Sequence, residues 1–111
     1  MTFLRTLVLH CGALAVVACT ATSMHAVGGD RSRGEHIAAR ECAGCHGTGV
    51  ARGITIQGVF VPSFSEIAGR PSQTRERLEA FVQIPRHPMP GIPLQADELQ
   101  HVVEYIISLR D

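Results

Sequence analysis

Residues 42–46 read Cys-Ala-Gly-Cys-His, and this short stretch decides how the rest of the 111-residue chain is interpreted. Two thiols three positions apart, on Cys42 and Cys45, can each add to one vinyl group of a haem, and the adjacent imidazole of His46 can then bind the iron. The spacing fixes one edge of the porphyrin and one axial ligand together. It therefore predicts covalent haem attachment, with Cys42 and Cys45 holding the cofactor and His46 binding the metal.

Three other chemistries use the same pair of cysteines. A thioredoxin-like redox pair is expected beside a β-α-β unit, and no strand pattern flanks this motif. A zinc site needs a second pair of ligands at short spacing, whereas His36, His87 and His101 are isolated in the sequence. A disulfide between Cys42 and Cys45 would close a loop too short to stabilise much. Haem attachment is the interpretation that the surrounding sequence favours.

The first 26 residues form a separate segment with the composition of a secretory signal peptide. A short start with one positive charge is followed by an apolar run over residues 7–19 and then by small polar residues. The run is shorter than the roughly 20 residues that cross a bilayer. We therefore predict export and a domain over residues 27–111 that works outside the cytoplasm, which in a bacterium is the periplasm. The stretch Val-Val-Ala-Cys ending at Cys19 also resembles a relaxed lipobox, so lipidation at Cys19 would anchor the domain to a membrane.

Composition excludes several other classes of protein. Ten basic and ten acidic residues give a formal charge of zero, so no excess of positive charge indicates nucleic-acid binding. With 45% hydrophobic and 18% charged residues, the chain is not expected to be disordered. It has no Trp and one Tyr, however, and a domain this small is expected to need an additional stabilising element such as a bound cofactor.

Local patterns predict an all-α domain of three to five helices. A first helix is expected over residues 31–44, running into the cysteine motif, and an extended loop without regular structure over residues 47–62. The clearest pattern is a helix over residues 96–109. Its apolar face is formed by Leu99, Val102, Val103, Ile106 and Ile107.

Two shorter helices are predicted between the glycine-rich loop and the last helix. Ser63 begins a capping box, and Gly69 is the expected end of that helix. Thr74 or Ser72 can cap the next one, which Pro85 ends. The inward face of this second helix is expected to consist of Leu78, Phe81 and Val82.

The motif and two later stretches together resemble a small bacterial class I cytochrome c. GEHIAARECAGCHG over residues 34–47, VPSFSEIAGR over 61–70 and HPMPGIPLQADELQHVVEYIISL over 87–109 follow one another in the order and spacing of that family. The resemblance covers essentially everything after the signal segment. It implies the family fold, in which helices wrap around one covalently bound haem and the first and last helices cross near a small residue and an aromatic, here Gly34 and Tyr105.

The resemblance also implies two further site residues. A methionine in the loop before the last helix is the second axial ligand in this family, and Met89 is the only methionine in the predicted domain. A proline between the motif and the next helix gives its carbonyl to the proximal imidazole, and Pro62 matches that position, where it would orient His46. His87, two residues from Met89, is the rival ligand and would give a bis-His haem.

Other side chains are assigned to the surroundings of the cofactor or to the surface. His36 and His101 are expected on polar faces of their helices, in contact with solvent. The apolar residues expected to supply much of the dry pocket are Ile37, Ile54, Val59, Phe64, Ile67, Leu78, Phe81, Leu94 and Leu99.

This ligand set predicts an electron carrier and not an enzyme. His/Met ligation fills both axial positions of the iron, and no catalytic motif or nucleotide-binding glycine loop is found elsewhere in the sequence. The expected partners are a redox protein donor and acceptor, met by a monomer without strong electrostatic steering, because Lys is absent. Three alternatives stay open: a cytochrome subunit bound permanently to a periplasmic dehydrogenase, a haem sensor or weak peroxidase with a displaceable sixth ligand, and a haem-free CXXC redox protein.

Overall fold

The structure is a computed structural model that describes residues 28–49 and 51–110. The predicted signal segment and the candidate lipid site at Cys19 therefore lie outside the described residues. Within the described ranges, no helix is long and apolar enough to cross a membrane. The elements follow in the order α1 (Arg31–Glu41), β1 (Ile54–Ile56), β2 (Val59–Val61), α2 (Phe64–Ala68), α3 (Arg75–Gln83) and α4 (Ala96–Ile107). The predicted helical class is confirmed, with one short β-hairpin added to it.

The crossing of α1 and α4 forms the centre of the core. A Cβ on Gly34 would overlap the backbone carbonyl of His101 and lie 2.8 Å from Cβ of Tyr105, so only glycine lets the two helices approach this closely. The predicted pairing of Gly34 with Tyr105 is therefore confirmed. Around it, the residues of the core are buried: Ile37, Ala38, Phe64, Ala68, Leu78, Leu99, Val102, Val103, Tyr105 and Ile106.

Polar contacts at the start of α1 fix its position on α4. Asp30 caps α1, since its Oδ1 accepts a hydrogen bond from the backbone N–H of Arg33 at 2.8 Å. The backbone N–H of Asp30 donates to Nδ1 of His101 on α4 at 2.7 Å. His101 is half-buried, and this hydrogen bond is a contact that the sequence did not predict, whereas His36 is exposed as expected.

The stretch expected to be an irregular loop contains an antiparallel β-hairpin. Ile54 pairs with Val61 and Ile56 with Val59, and the two-residue turn between them consists of Gln57 at φ 50° and Gly58 at φ 81°. Positive φ at both turn positions matches the right-handed twist of the strands. The sequence carried no Asn-Gly or Asp-Gly pair to signal this turn, and the prediction for this stretch is wrong for that reason.

The two short helices begin where their caps predict. Oγ of Ser63 accepts from the backbone N–H of Glu66 at 3.3 Å, and Thr74 caps α3 in the same way through the backbone N–H of Arg77 at 3.2 Å. Leu78 is buried, as the pattern of α3 requires. Phe81, expected on the same inward face, is 47% exposed.

Candidate functional site

The cysteine motif lies at the end of α1, where the chain turns away from the helix. Cys42 is the C-cap residue, and its carbonyl accepts from the backbone N–H of Cys45 at 3.1 Å and of His46 at 2.9 Å. This turn brings the two cysteines and the histidine into one compact loop. Both cysteines carry free thiols, with Cys42 half-buried and Cys45 exposed. Burial raises the pKa of the Cys42 thiol, and the carboxylate of Glu41 raises it further, so this thiol is protonated at neutral pH.

His46 is held by a hydrogen bond to the segment that follows the hairpin. Its Nδ1 lies 2.8 Å from the carbonyl oxygen of Pro62, so Nδ1 carries the proton and donates. The other ring nitrogen, Nε2, therefore presents a lone pair, which is the form of imidazole that binds a metal. The contact between His46 and Pro62 is the one that the family resemblance implies.

An aromatic side chain fixes the plane of the same imidazole. The ring of Phe64 stacks on His46 with centroids 5.3 Å apart and an angle of 11° between the planes. Tyr105 in turn meets Phe64 edge to face, at 6.1 Å and 86°. The hydroxyl of Tyr105 accepts a hydrogen bond from the backbone N–H of Gly49 at 3.0 Å. The sequence identified Phe64 only as an apolar residue and gave no signal for the stack, because the partners are 18 positions apart.

A carboxylate closes the base of the hairpin beside Pro62. Oε2 of Glu66 accepts from the backbone N–H of Gly53 at 3.0 Å, from the backbone N–H of Ser63 at 2.9 Å and from the Ser63 hydroxyl at 3.2 Å. These donors, the Ser63 backbone first, lower the pKa of Glu66, and Arg52 adds a favourable charge. The capping box was predicted from the sequence; the link to Gly53 was not.

Met89 lies in the proline-rich loop that precedes α4. Its backbone N–H donates to the carbonyl of Arg86 at 3.0 Å, which closes a turn, and the residue is half-buried between Pro88 and Pro90. His87, the rival ligand, is exposed. The structure thus brings Cys42, Cys45, His46 and Pro62 together, whereas Met89 lies in a separate segment and stays a prediction as a ligand.

The apolar residues expected to line a pocket divide into two groups. Of the nine, Ile37, Phe64, Leu78 and Leu99 are buried, and Ile67 and Leu94 are half-buried against the core. Ile54, Val59 and Phe81 are exposed, and so are Phe60 at 60% and Ile84 at 79%.

The residues present fit a covalently attached haem. An imidazole whose Nε2 presents a lone pair, two free thiols in the same turn and large apolar side chains left exposed are the chemistry that such a group requires. A zinc site is not supported, since no three His, Cys, Asp or Glu side chains within the described ranges are grouped as metal ligands.

Comparison with known proteins agrees with this chemistry. A family model described as cytochrome c oxidase, cbb3-type, subunit III matches residues 29–106. The chain is 37% identical over 99 residues to cytochrome c-552 of Bradyrhizobium diazoefficiens, an alignment that covers 89% of this chain and 93% of that protein. No solved structure matches.

Proposed function

Because the chain belongs to the cytochrome c family, we propose that it is a periplasmic electron carrier in which His46 and Met89 are the axial ligands of a haem held by Cys42 and Cys45. The observation that carries this assignment is the hydrogen bond from His46 Nδ1 to the Pro62 carbonyl, because it leaves Nε2 for the iron. The free thiols of Cys42 and Cys45 supply the attachment. Cys42 and Cys45 would each hold the haem through one thioether bond.

The chain's own residues control the orientation of His46 and supply the second iron ligand. When bound, the haem supplies an iron that takes up or gives away one electron. The Pro62 carbonyl fixes the direction of the His46 ring, and Phe64 fixes its plane. Met89 would supply a soft thioether, which favours reduced iron, and its proline neighbours restrict the backbone at this position. Iron held by both His46 and Met89 would have no position left for oxygen or peroxide, which supports electron transfer without catalysis.

Export is supported by residues 1–26, whose sequence has the three parts of a signal peptide. Electron exchange would then take place in the periplasm, with a redox protein donor and acceptor. Lipidation at Cys19 is the alternative form of the same proposal, in which the domain stays attached to the membrane. The mass and N-terminal sequence of the exported chain distinguish the two forms, because lipidation makes Cys19 the first residue.

A second candidate is a cytochrome subunit bound permanently to a larger redox complex. The matched family is described as a subunit of an oxidase, and five large apolar side chains are exposed on the described surface. Such a subunit would copurify with its complex at low concentration, whereas a carrier would elute as a monomer.

The ligand assignment is tested by optical spectra of the exported protein and of Met89→Ala, oxidised and reduced. We expect colour that survives acid extraction in both proteins, and a weak far-red iron-to-sulfur band that Met89→Ala alone abolishes. His87→Ala is the matched control, two residues away in the same loop, and keeps the band. Loss of the band in His87→Ala with retention in Met89→Ala would contradict the assignment, and colour lost on extraction would contradict haem attachment.

A further inference from the structure

The peptide group between Pro62 and Ser63 is hydrogen-bonded at both ends. Its carbonyl oxygen accepts from Nδ1 of His46 at 2.8 Å, and its N–H donates to Oε2 of Glu66 at 2.9 Å. Because a peptide group is a planar, conjugated unit, the two hydrogen bonds act on the same set of electrons. A continuous path therefore runs from the Glu66 carboxylate through one peptide group to the imidazole.

Glu66 is held firmly at its end of this path. The same Oε2 also accepts from the Gly53 N–H and the Ser63 hydroxyl, and Ser63 is completely buried. The lowered pKa of Glu66 keeps the carboxylate charged at neutral pH, and Arg52 is its charged neighbour. The negative charge is therefore present and fixed in direction wherever the protein is folded near pH 7.

A fixed negative charge at the N–H end changes what the carbonyl end does. It draws the amide proton and increases the negative charge on the Pro62 oxygen, which strengthens that oxygen as an acceptor for His46. A stronger bond at Nδ1 makes the imidazole a more electron-rich ligand, and such a ligand favours the oxidised state of a bound iron.

We propose that Glu66 is a positioning residue that lowers the reduction potential of the haem iron by acting through the Pro62–Ser63 peptide group on His46. The proposal rests on the proposed function, because it requires His46 to be an iron ligand.

The test is the midpoint potential of Glu66→Gln, measured by redox titration of the purified holoprotein with mediators. Glutamine keeps an acceptor oxygen and removes the charge, so the hydrogen-bonded geometry can be retained. We expect the one-electron equilibrium to shift toward the reduced form by about three- to tenfold, where tenfold corresponds to about 59 mV. In the reduced protein, the NMR signal of the His46 Nδ1 proton should move upfield, as expected for a weaker hydrogen bond.

Asp30→Asn is the matched control. It makes the same change in net charge at another carboxylate that caps a helix and accepts a backbone N–H, that of Arg33 at 2.8 Å. The hydrogen bonds of Asp30 join it to Arg33, Gly34 and His101 and provide no path to His46, so we expect a shift below about twofold and an unchanged ring signal. Equal shifts in the two variants would overturn the proposal. Glu66→Asp keeps the charge and should stay nearer to the wild-type potential than Glu66→Gln; the opposite order would also overturn it.

Further results distinguish failure of the proposal for Glu66 from failure of the proposed function. If Glu66→Gln yields no haem protein, the wild-type ring signal is followed in acid together with the carbon-13 signal of the Glu66 carboxyl group: an upfield shift of the ring signal that accompanies the Glu66 titration supports the proposal, and a ring signal that stays unchanged while Glu66 titrates overturns it. If the wild type itself lacks covalent haem or a histidine ligand, the proposed function fails before this question arises. A wild type with the expected spectrum, combined with identical potentials for all the variants, overturns the role of Glu66 alone.

Discussion

The helix crossing, formed by α1 and α4, and the hairpin, formed by β1 and β2, are stabilised in opposite ways. At the crossing, Val102, Val103 and Tyr105 are each at most 1% exposed, and a glycine allows the backbones to touch. In the hairpin, Ile54, Val59 and Phe60 are all more than 40% exposed. The crossing is thus formed by burial of the protein's own side chains, whereas the hairpin has little apolar surface buried within the described chain.

Hydrogen bonds, and not burial of apolar side chains, hold the hairpin segment in place. The Gly53 N–H is held by Glu66, and the backbone N–H of Phe64 donates to the carbonyl of Gly47 at 3.0 Å. These contacts fix the ends of the segment that carries Pro62. We infer from this difference that the helix crossing provides most of the stability, whereas the hairpin fixes the geometry around His46.

The largest effect is expected when a methyl group is introduced at the helix crossing. Gly34→Ala would force its Cβ into the carbonyl of His101, and a backbone atom cannot move aside as a flexible side chain does. We expect a loss of at least about 3 kcal/mol in the free energy of unfolding, together with a low yield of haem protein. Denaturant unfolding measures the first and absorbance per unit of protein the second.

Gly44→Ala is the matched control for that substitution. A Cβ at Gly44 meets nothing within 4 Å, so this variant should unfold within about 0.5 kcal/mol of the wild type. If Gly34→Ala is as stable as Gly44→Ala, the crossing does not carry the stability assigned to it.

The difference between the helix crossing and the hairpin also explains which features could be predicted from the sequence. Helix α4 has a strict apolar period, and Ser63 and Gly69 mark the ends of α2, so local patterns were sufficient. The pairing of Gly34 with Tyr105 and the contact between His46 and Pro62 came from family resemblance, because neither has a local signal.

The missed features depend on contacts between distant residues. The Gln57-Gly58 turn has no strong sequence signal, so the hairpin was not foreseen, and without the hairpin nothing brings Gly53 to Glu66. The half-buried position of His101 likewise follows from its bond to Asp30, 71 positions earlier in the chain. Such pairs become visible only once the tertiary fold is known.

A smaller effect is expected where the two regions are joined. The Tyr105 hydroxyl accepts from the Gly49 N–H, linking α4 to the loop that leads toward the hairpin. Tyr105→Phe should cost about 1–2 kcal/mol, because the N–H loses its partner while the ring packing remains. Hydrogen exchange should accelerate at Gly49. Ser108→Ala removes a hydroxyl that donates to the Tyr105 carbonyl at the end of the same helix, and it should leave exchange at Gly49 unchanged. Equal acceleration in both variants would contradict the link.

The smallest expected effect is a difference in acid sensitivity between the two regions. Hydrogen bonds from backbone N–H groups, of Arg33 to Asp30 and of Ser63 to Glu66, lower the pKa of each carboxylate. A lowered pKa in the folded state contributes stability that is present above the ordinary pKa, near pH 4, and is lost as pH falls through the lowered value. Below about pH 4, the amide protection factors, which are exchange rates corrected for the intrinsic rate at each pH, should therefore fall in both regions, and more in the hairpin, where one carboxylate oxygen accepts three donors. Asp30→Asn should flatten this pH dependence at the start of α1 only, and Glu66→Gln at the hairpin only. If either variant flattens both, the two regions unfold as one unit and the distinction between them is lost.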